Sequence, residues 1–209
     1  MLDQSTMTSP NPVLPVGYSA VPAGHVAAVV TSLEMTSRPP PRPARPFPPG
    51  FELQPLDRTV GTYRDLYRAV GTEWLWFSRL IIPDDRLRAI IEDPEVEIFA
   101  LRDRGRDAGI LELDFREPGT CELAFFGLAP AAVGTGVGRT LMNEAIARAW
   151  SKPIARFWVH TCTLDHPAAL DFYRRSGFEP YAFQVEVAPD PRLTGAMPRD
   201  CSRHIPLLA

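Results

Sequence analysis

The feature that most constrains the fold is a glycine loop, "VGTGVG", placed between an apolar run and an amphipathic segment. Gly134, Gly136 and Gly138 occupy alternate positions, and the segment after them carries apolar residues at the three-to-four spacing of one helix face. These apolar residues are Leu141, Met142, Ala145, Ile146, Ala149 and Trp150. A helix N-terminus presents free amides and the positive end of the macrodipole, and glycines let an anion approach that backbone closely. The segment therefore predicts a strand, an anion-binding loop and a helix in succession.

The residues missing from this loop narrow the choice of anion. A triphosphate loop places Lys and Ser or Thr after its last glycine, whereas Arg139 and Thr140 follow Gly138 here. A dinucleotide fingerprint requires glycine at position 139 and a strand that runs directly into the loop. A diphosphate held mostly by backbone amides, without a metal, remains possible, and so does an ordinary glycine-rich turn.

The overall composition is that of a globular domain. The chain has 209 residues, a net charge of −3 and a pI near 5.8, which disfavour nucleic acid as a partner. No apolar run approaches membrane-spanning length, and the first residues lack the basic and apolar regions of a secretory signal. The three cysteines, Cys121, Cys162 and Cys201, form no paired disulfide framework. These features predict a cytoplasmic protein without membrane association.

A proline-rich stretch divides the chain. "RPPPRPARPFPPG", residues 38–50, predicts a stiff connecting segment, in preference to the polyproline ligand that its spacing also permits. Before it, "HVAAVVTSLEM" predicts a strand that adds to the sheet edge of this domain or of a neighbouring copy, so a homodimer is one alternative. We expect an N-terminal extension with one strand at 1–37, a linker at 38–50 and one domain at 51–209.

From Phe51 onward, strand-like and helix-like segments alternate. The sequence predicts strands at "FELQPL", "VEIFAL", "AGILELDF", "CELAFFGL", "IARFWVHTC" and "YAFQVEV", with a hairpin turn at "RDRGRD". It predicts helices over 60–70, from Pro83 to the residues before Pro94, after the glycine loop, and from about His166 to Ser176. Asp165 is a possible cap of the last helix, and Gly177 is its C′ residue. The succession indicates an α/β (α+β) fold, with a mixed, mostly antiparallel central sheet and helices on both faces.

Two of these segments carry a family resemblance. "CELAFFGLAPAAVGTGVGRTLMNEAI", followed by a strand and then by "HPAALDFYRRSGF", resembles the GNAT superfamily of N-acetyltransferases. That superfamily pairs a glycine loop with a later Ala…Tyr-x-x-x-Gly-Phe helix. The resemblance covers about residues 51–187 and has two departures. Val133 stands where the family usually has Gln or Arg, and His166 stands where it often has Asn.

The resemblance implies acetyl-CoA as the acyl donor and no metal. In such a fold the strand before the loop and the strand after the helix splay apart. The backbone of Phe126, Gly127 and Leu128 then holds the pantetheine arm between them. The diphosphate is implied to rest on Val133, Gly134, Thr135, Gly136, Val137, Gly138, Arg139 and Thr140. His166, Ala169 and Phe172 complete the implied coenzyme A site.

The implied reaction is direct attack of an amine on the thioester. A lysine-like amine, with a pKa of about 10.4, is mostly protonated at neutral pH, so a group must accept its proton. Glu122 is the candidate general base, acting directly or through water, and a strand-surface carboxylate is the alternative interpretation. Glu112 and Asp114 are its substitutes. Tyr173 occupies the family position of the general acid that protonates the leaving thiolate, although a packed helix aromatic also explains it.

The acceptor is the least constrained part of the prediction. Trp74, Trp76 and Phe77 lie in a region that often covers the acceptor pocket in this superfamily, and aromatic faces suit a cationic or apolar acceptor. Arg79, Asp114 and Arg116 are candidate orienting charges. We expect a small-molecule amine, with a protein N-terminus or lysine as the competing acceptor.

Two other classes of protein are alternatives to this one. A catalytically inactive coenzyme A-binding domain is the rival, because Val133 and His166 depart from the family pattern. A nucleotide-dependent enzyme is a further alternative. His160, Cys162 and His166 lack the paired ligand spacing of a structural zinc site, so packing and capping are expected there and no metal is.

Overall fold

The computed structural model describes residues 13–40, 43 and 45–208, and these form one seven-stranded sheet with helices on both faces. Parts of the predicted N-terminal extension (1–12) and linker (41, 42 and 44) lie outside the described residues. The strands are β1 His25–Met35, β2 Phe51–Pro55, β3 Val96–Asp103, β4 Arg106–Asp114, β5 Thr120–Leu128, β6 Arg156–Cys162 and β7 Glu179–Pro189. The helices are α1 Val60–Gly71, α2 Ser78–Ile81, α3 Asp84–Ile91, α4 Val137–Ala149 and α5 Ala169–Ser176.

The sheet order is β2-β3-β4-β5-β6-β1-β7, and every neighbouring pair is antiparallel except β5 with β6. This confirms the predicted mixed, mostly antiparallel sheet. The parallel pair arises because α4 connects β5 to β6 as a crossover, as the glycine loop and amphipathic segment predict. The helices, strands and hairpin turn expected from Phe51 to β7 are all present.

Two apolar cores lie on opposite faces of the sheet. Alternate residues of a strand point to opposite faces, so the side chains of β4 contribute to both cores. Leu111 and Leu113 pack with the buried face of α4, whereas Ile110 packs with α1 and α3. Helices therefore cover the sheet from both sides.

Strand β1 lies inside the sheet, so the predicted edge position is wrong. Val30 is paired with Cys162 of β6 on one side and with Gln184 of β7 on the other. Buried apolar side chains from this strand, Val26, Ala28, Val30, Leu33 and Met35, explain the position. A strand that buries this much apolar surface is stabilised by neighbours on both sides, and β2 and β7 form the edges. The division into extension, linker and domain stays a prediction.

The start of α5 also differs from the prediction. This helix begins at Ala169, three residues after His166, and Ala168 precedes it without a side-chain cap. The expected cap role of Asp165 is wrong, because its Oδ2 accepts hydrogen bonds from the Thr161 hydroxyl and the Cys162 amide instead. Gly177 ends the helix with a φ of 106°, as predicted.

The strands β5 and β6 pair only at their first residues and then diverge. The register joins Thr120 to Arg156, Cys121 to Phe157 and Glu122 to Trp158, and no further pair of these two strands follows among the described residues. On its other side β5 carries a bulge, because Glu112 faces Phe125 while Leu113 faces Leu123, which leaves Ala124 as the extra residue. The divergence opens a wedge at the centre of the sheet.

Candidate active site

A cavity of about 270 Å³ occupies this wedge, and we call it the wedge cavity. Strand β5 contributes residues 123–128, and β6 contributes Val159, His160 and Cys162. The glycine loop reaches the cavity through Val133 and Gly138, and α5 reaches it through Ala169, Phe172 and Tyr173. The two sequence motifs, about 30 residues apart, therefore meet at one cavity.

The glycine loop presents unpartnered amides beside this cavity. Gly134 and Gly136 both adopt a φ of 83°, which L side chains rarely adopt, and Gly136 directly precedes α4. Within the described chain, the amides of Gly134, Gly136 and Gly138 donate no hydrogen bond. Gly138 also lies so close to β5 that a Cβ on it would meet Leu128 Cδ1 at 3.3 Å. Three free amides at a helix N-terminus are the chemistry that holds a phosphate or diphosphate.

The predicted coenzyme A residues fall into two groups. Those that line the wedge cavity are Phe126, Gly127, Leu128, Val133, Gly138, His166, Ala169 and Phe172. The remainder, Gly134, Thr135, Gly136, Val137, Arg139 and Thr140, form the loop and the first turn of α4 without lining it. Val137 and Thr140 are buried under the helix, whereas Arg139 is exposed. The residues of this second group would contact an anion mainly through their backbone amides.

Tyr173 of α5 is a buried tyrosine on the cavity wall. Its ring contacts those of Phe126, Phe172 and Phe178, with centroids 5.8 to 6.3 Å away. Burial, together with the negative charge of Asp165, raises the pKa of Tyr173 above its ordinary value. The hydroxyl therefore keeps its proton at neutral pH and is available as a hydrogen-bond donor.

An aromatic wall closes the wedge cavity on the side of α1 and α2. The Trp76 ring packs between Tyr67 and Phe125, and its Nε1 donates a 3.0 Å hydrogen bond to Asp165 Oδ1. Trp74 stands edge-on to His166, with ring centroids 5.1 Å apart. Trp74, Trp76 and Phe77, predicted to bind the acceptor, thus line the wedge cavity.

A second, larger cavity of about 890 Å³ lies beside α2 and α3, and we call it the polar cavity. Its wall includes four of the residues considered for the acceptor and for proton transfer: Arg79, Asp114, Arg116 and Glu122. Ser78, Ala124, Phe125 and His160 line both cavities. The two cavities therefore meet at the bulged part of β5 and at His160.

Arginines neutralise two of the three carboxylates considered as bases. Glu112 is fully buried, and it accepts hydrogen bonds from the Tyr63 hydroxyl at 2.6 Å and from an Arg79 amino group at 2.9 Å. Burial disfavours the Arg79 cation, but the charge of Glu112 outweighs it and raises the Arg79 pKa. Asp114 accepts from both the Nε and an amino group of Arg116. Each of these carboxylates is therefore already bonded to an arginine.

Glu122 and His160 form a different kind of pair. The Glu122 side chain is 24 % exposed, and its Oε1 lies 3.4 Å from Nδ1 of His160, whose side chain is 10 % exposed. Nδ1 of His160 has no hydrogen-bond partner among the described residues. From the sequence, a packing role was expected for His160, with metal ligation as the alternative. In the sequence, His160 alternates with Trp158 and Arg156, which places all three on one face of β6. The sequence does not show that this face meets Glu122, because that contact depends on the register of β5 and β6.

No group of three or more His, Cys, Asp or Glu side chains in the described chain is arranged to hold a metal ion. No described helix combines the length and hydropathy needed to cross a bilayer. Burial raises the pKa of the Cys162 thiol to about 12, so this cavity-lining cysteine is a thiol rather than a thiolate at neutral pH.

The fold and this motif pair define an acetyltransferase class. The model of the "Acetyltransferase (GNAT) family" matches residues 63–178, more than half of the chain. The chain belongs to the GNAT acetyltransferase family, which confirms the resemblance seen in the sequence. No curated protein matches the sequence.

Solved structures support the same fold at low sequence identity. A GCN5-related N-acetyltransferase from Sphaerobacter thermophilus has a TM-score of 0.58 and 18% identity, over 79% of this chain and 53% of that one. Another from Kribbella flavida has a TM-score of 0.52 and 18% identity, over 80% and 60%. The aminoglycoside acetyltransferase meta-AAC0020, from an uncultured soil metagenomic sample, has a TM-score of 0.50 and 14% identity, over 61% and 88%. The chain thus spans about half the length of the first of these proteins.

Proposed function

We propose that this protein transfers an acetyl group from acetyl-CoA to the amine of a small-molecule acceptor. The main support for this proposal is that the wedge cavity and the polar cavity meet at Ala124, Phe125 and His160. An acyl transferase must bring a donor and an acceptor together while water is kept out, and two cavities that share a wall provide that arrangement.

The wedge cavity and the glycine loop fit the donor. The free amides of Gly134, Gly136 and Gly138 suit a diphosphate, and the unpaired edge of β5 offers its backbone to an amide-containing arm. The apolar and aromatic wall around Trp76 and Phe125 suits the acyl end. Val133, where the family usually has Gln or Arg, contributes its backbone, so we expect weakened rather than lost binding.

The polar cavity fits the acceptor. Residues of six elements, α2, α3 and β4 to β7, line it, and its charged groups, Arg79, Asp114, Arg116 and Glu122, are those that would orient a polar amine. A cavity of this volume suits a small-molecule acceptor. The predictions of a cytoplasmic location and of a possible homodimer stay predictions.

The side chains of this protein would carry out two proton transfers. One removes a proton from the attacking amine, and the other delivers a proton to the leaving thiolate. On the acceptor side, Glu122 lines the polar cavity beside His160, and it is our candidate base, directly or through water. On the donor side, the Tyr173 hydroxyl is the candidate acid for the leaving thiolate. One amide of the β5 backbone would polarise the thioester oxygen.

A thermal-shift panel followed by a thiol-release assay tests the proposal. We expect acetyl-CoA to stabilise the protein, and ATP and NAD not to, because the loop lacks the residues for a metal-bound triphosphate or a dinucleotide. Free coenzyme A should then appear with acetyl-CoA and at least one amine of a small-molecule panel. Stabilisation without turnover would favour the inactive coenzyme A-binding domain, and stabilisation by ATP or NAD alone would contradict the proposal.

A further inference from the structure

His160 is a buried polar side chain without a hydrogen-bond partner at the junction of the two cavities. Its side chain is nine-tenths buried, and Nδ1 has no partner within the described chain. Buried polar atoms are nearly always hydrogen-bonded, and an exception in a native fold indicates a functional group or a site for a ligand. His160 lines both the wedge cavity and the polar cavity.

The strand geometry explains why this side chain reaches the junction. Arg156, Trp158 and His160 alternate along β6 and all line the polar cavity. The pairing of β6 with β5 stops at Trp158, so the β5 backbone has moved away at the level of His160. The ring is therefore accessible from the space between the diverging strands.

Glu122 supplies the complementary charge. Its Oε1 lies 3.4 Å from Nδ1 of His160, within ion-pair distance. A carboxylate at this distance is placed to orient the ring and to balance a positive charge on it. Among the arginines that line the polar cavity, Arg79, Arg116 and Arg156 are already paired with Glu112, Asp114 and Glu34.

We infer that His160 is a catalytic residue that accepts the proton of the attacking amine, with Glu122 as the positioning residue that stabilises the resulting imidazolium. This inference rests on the proposed function and names the proton acceptor that the family resemblance leaves open. It changes the role of Glu122 from direct base to partner of the base.

The ammonium form of the acceptor first loses one proton to solvent. The neutral amine nitrogen then forms a bond to the acyl carbon, the carbon–sulfur bond breaks, and its electron pair leaves on the thiolate. His160 takes the proton that the amine nitrogen loses, and the Tyr173 hydroxyl supplies a proton to the sulfur. Proton return from the imidazolium, through solvent, to the tyrosinate restores both groups. No oxidant, reductant or metal is required.

Substitution with chemical rescue tests this role by kinetics. His160→Gln should lower kcat with the best amine of the panel by about 100-fold or more, while acetyl-CoA affinity measured by calorimetry stays unchanged. His160→Ala should be equally slow, and added imidazole should restore part of its rate. The matched control is His25→Gln, which changes a histidine at the start of β1 whose Nδ1 bonds to the Ala23 carbonyl.

Chemical modification provides a second readout that needs no acetyl-CoA. Diethyl pyrocarbonate reacts with unprotonated imidazole, and mass spectrometry locates the modified residue among the four histidines. The amine acceptor should protect His160 from the reagent and leave the modification of His25 unchanged. Equal modification of His160 with and without the amine would contradict its contact with the acceptor.

The outcomes separate the two proposals. Thiol release by the wild-type protein together with an undiminished kcat in His160→Gln would overturn the inference and leave the proposed function intact. A slow His160→Ala variant that imidazole does not accelerate, with a lowered unfolding temperature, would assign His160 a structural role. Absence of acetyl-CoA binding by the wild-type protein would overturn the proposed function itself.

Discussion

At the scale of single residues, surroundings rather than residue type determine what each carboxylate can do. Glu112 and Glu122 lie on neighbouring strands, yet Glu112 is fully buried and bonded to Tyr63 and Arg79, whereas Glu122 reaches a cavity. A buried pair of this kind is strongly destabilised when one partner is removed, because the other charge stays behind. Glu112 therefore anchors α1 and α2 to the sheet, and Glu122 remains available to a ligand.

Tyr173→Phe tests the proposed acid. The change removes one hydroxyl and keeps the ring contacts with Phe126 and Phe178. We expect turnover to fall by about 100-fold, because the thiolate loses its proton donor, while acetyl-CoA affinity is retained. Steady-state kinetics and calorimetry measure the two quantities. Tyr18→Phe, a change at an exposed tyrosine, is the control, and an unchanged rate in Tyr173→Phe would remove this residue from the mechanism.

At the scale of elements, the glycine loop and α4 act as one unit. Two glycines with positive φ turn the chain so that successive amides face outward, and the helix that follows adds its dipole. The apolar face of α4 fixes the loop relative to β5, because Leu141 and Ala145 are fully buried in the core shared with Leu123. The loop is thereby held at the mouth of the wedge cavity.

Gly136→Glu tests the loop as the anion site. The new carboxylate repels a diphosphate, so we expect acetyl-CoA to cause no thermal shift while the protein stays folded. Gly105→Glu is the matched control, because Gly105 has a φ of 81° against 83° at Gly136 and both positions are open. It imposes the same backbone strain at the distant β3–β4 turn. Retained acetyl-CoA affinity in Gly136→Glu would show that the diphosphate lies elsewhere.

The segment after β7 forms a second unit, held by a buried ion pair. Arg192 and Asp190 are each about 2 % exposed at their side chains, and Arg192 also donates to the carbonyls of Ser202, Ile205 and Pro206. The segment packs against the turn that carries Trp74, because the Ser202 hydroxyl donates to the Thr72 carbonyl. The segment after β7 therefore supports the wall of the wedge cavity that contains Trp74.

Asp190→Asn should destabilise the fold in a pH-dependent way. Burial opposes the charged form, but the hydrogen bonds from Arg192 outweigh it and lower the pKa of Asp190 in the folded state. Because the pKa of Asp190 is lower in the folded state than in the unfolded state, ionised Asp190 stabilises the fold. This stabilisation is fully present above the unfolded-state pKa of about 3.9, and it is lost as the pH falls through the folded-state pKa. We expect a loss of about 3 kcal/mol at pH 7 in urea unfolding. The difference between wild type and variant should narrow below about pH 3.9, and a constant difference would contradict this account.

At the scale of the whole molecule, the N-terminal strand completes the sheet. Strand β1 joins β7 to β6, so the sheet would lose the connection to its last strand without it. Leu33 and Met35 also fill the core beneath α4 and α5. The part of the sheet that follows Phe51 in the sequence therefore depends on a strand that precedes the proline-rich stretch.

Leu33→Ala tests this dependence. Leu33 is fully buried, so truncation to alanine should cost about 2–5 kcal/mol of unfolding free energy by loss of burial and creation of a cavity. Val29→Ala on the same strand is the control, since Val29 is 45% exposed and its loss should change stability by less than about 0.5 kcal/mol. Equal stability of the two variants in urea unfolding would mean that β1 adds little to the core.

The local periodicity of the sequence was sufficient to predict most elements, and the resemblance of two motifs to a known family indicated the family. The glycine loop, α4 and the Ala169-to-Phe178 motif are encoded by neighbouring residues, so spacing alone reveals them. The start of α5 was missed because Asp165 has partners, Thr161 and Cys162, that bind it more effectively than the helix does. Local sequence patterns do not show which of several possible hydrogen-bond partners Asp165 will bind.

The sequence by itself determined the class of fold, the order of the elements and the glycine loop before α4, because each of these follows from residues a few positions apart. Tertiary structure decided that β1 lies inside the sheet, that Glu112 is bound by Arg79, and that His160 approaches Glu122. These outcomes depend on strand register and on burial, which join residues distant in the chain. Periodicity fixes which face a side chain occupies, but only the packed sheet fixes which residue it meets there.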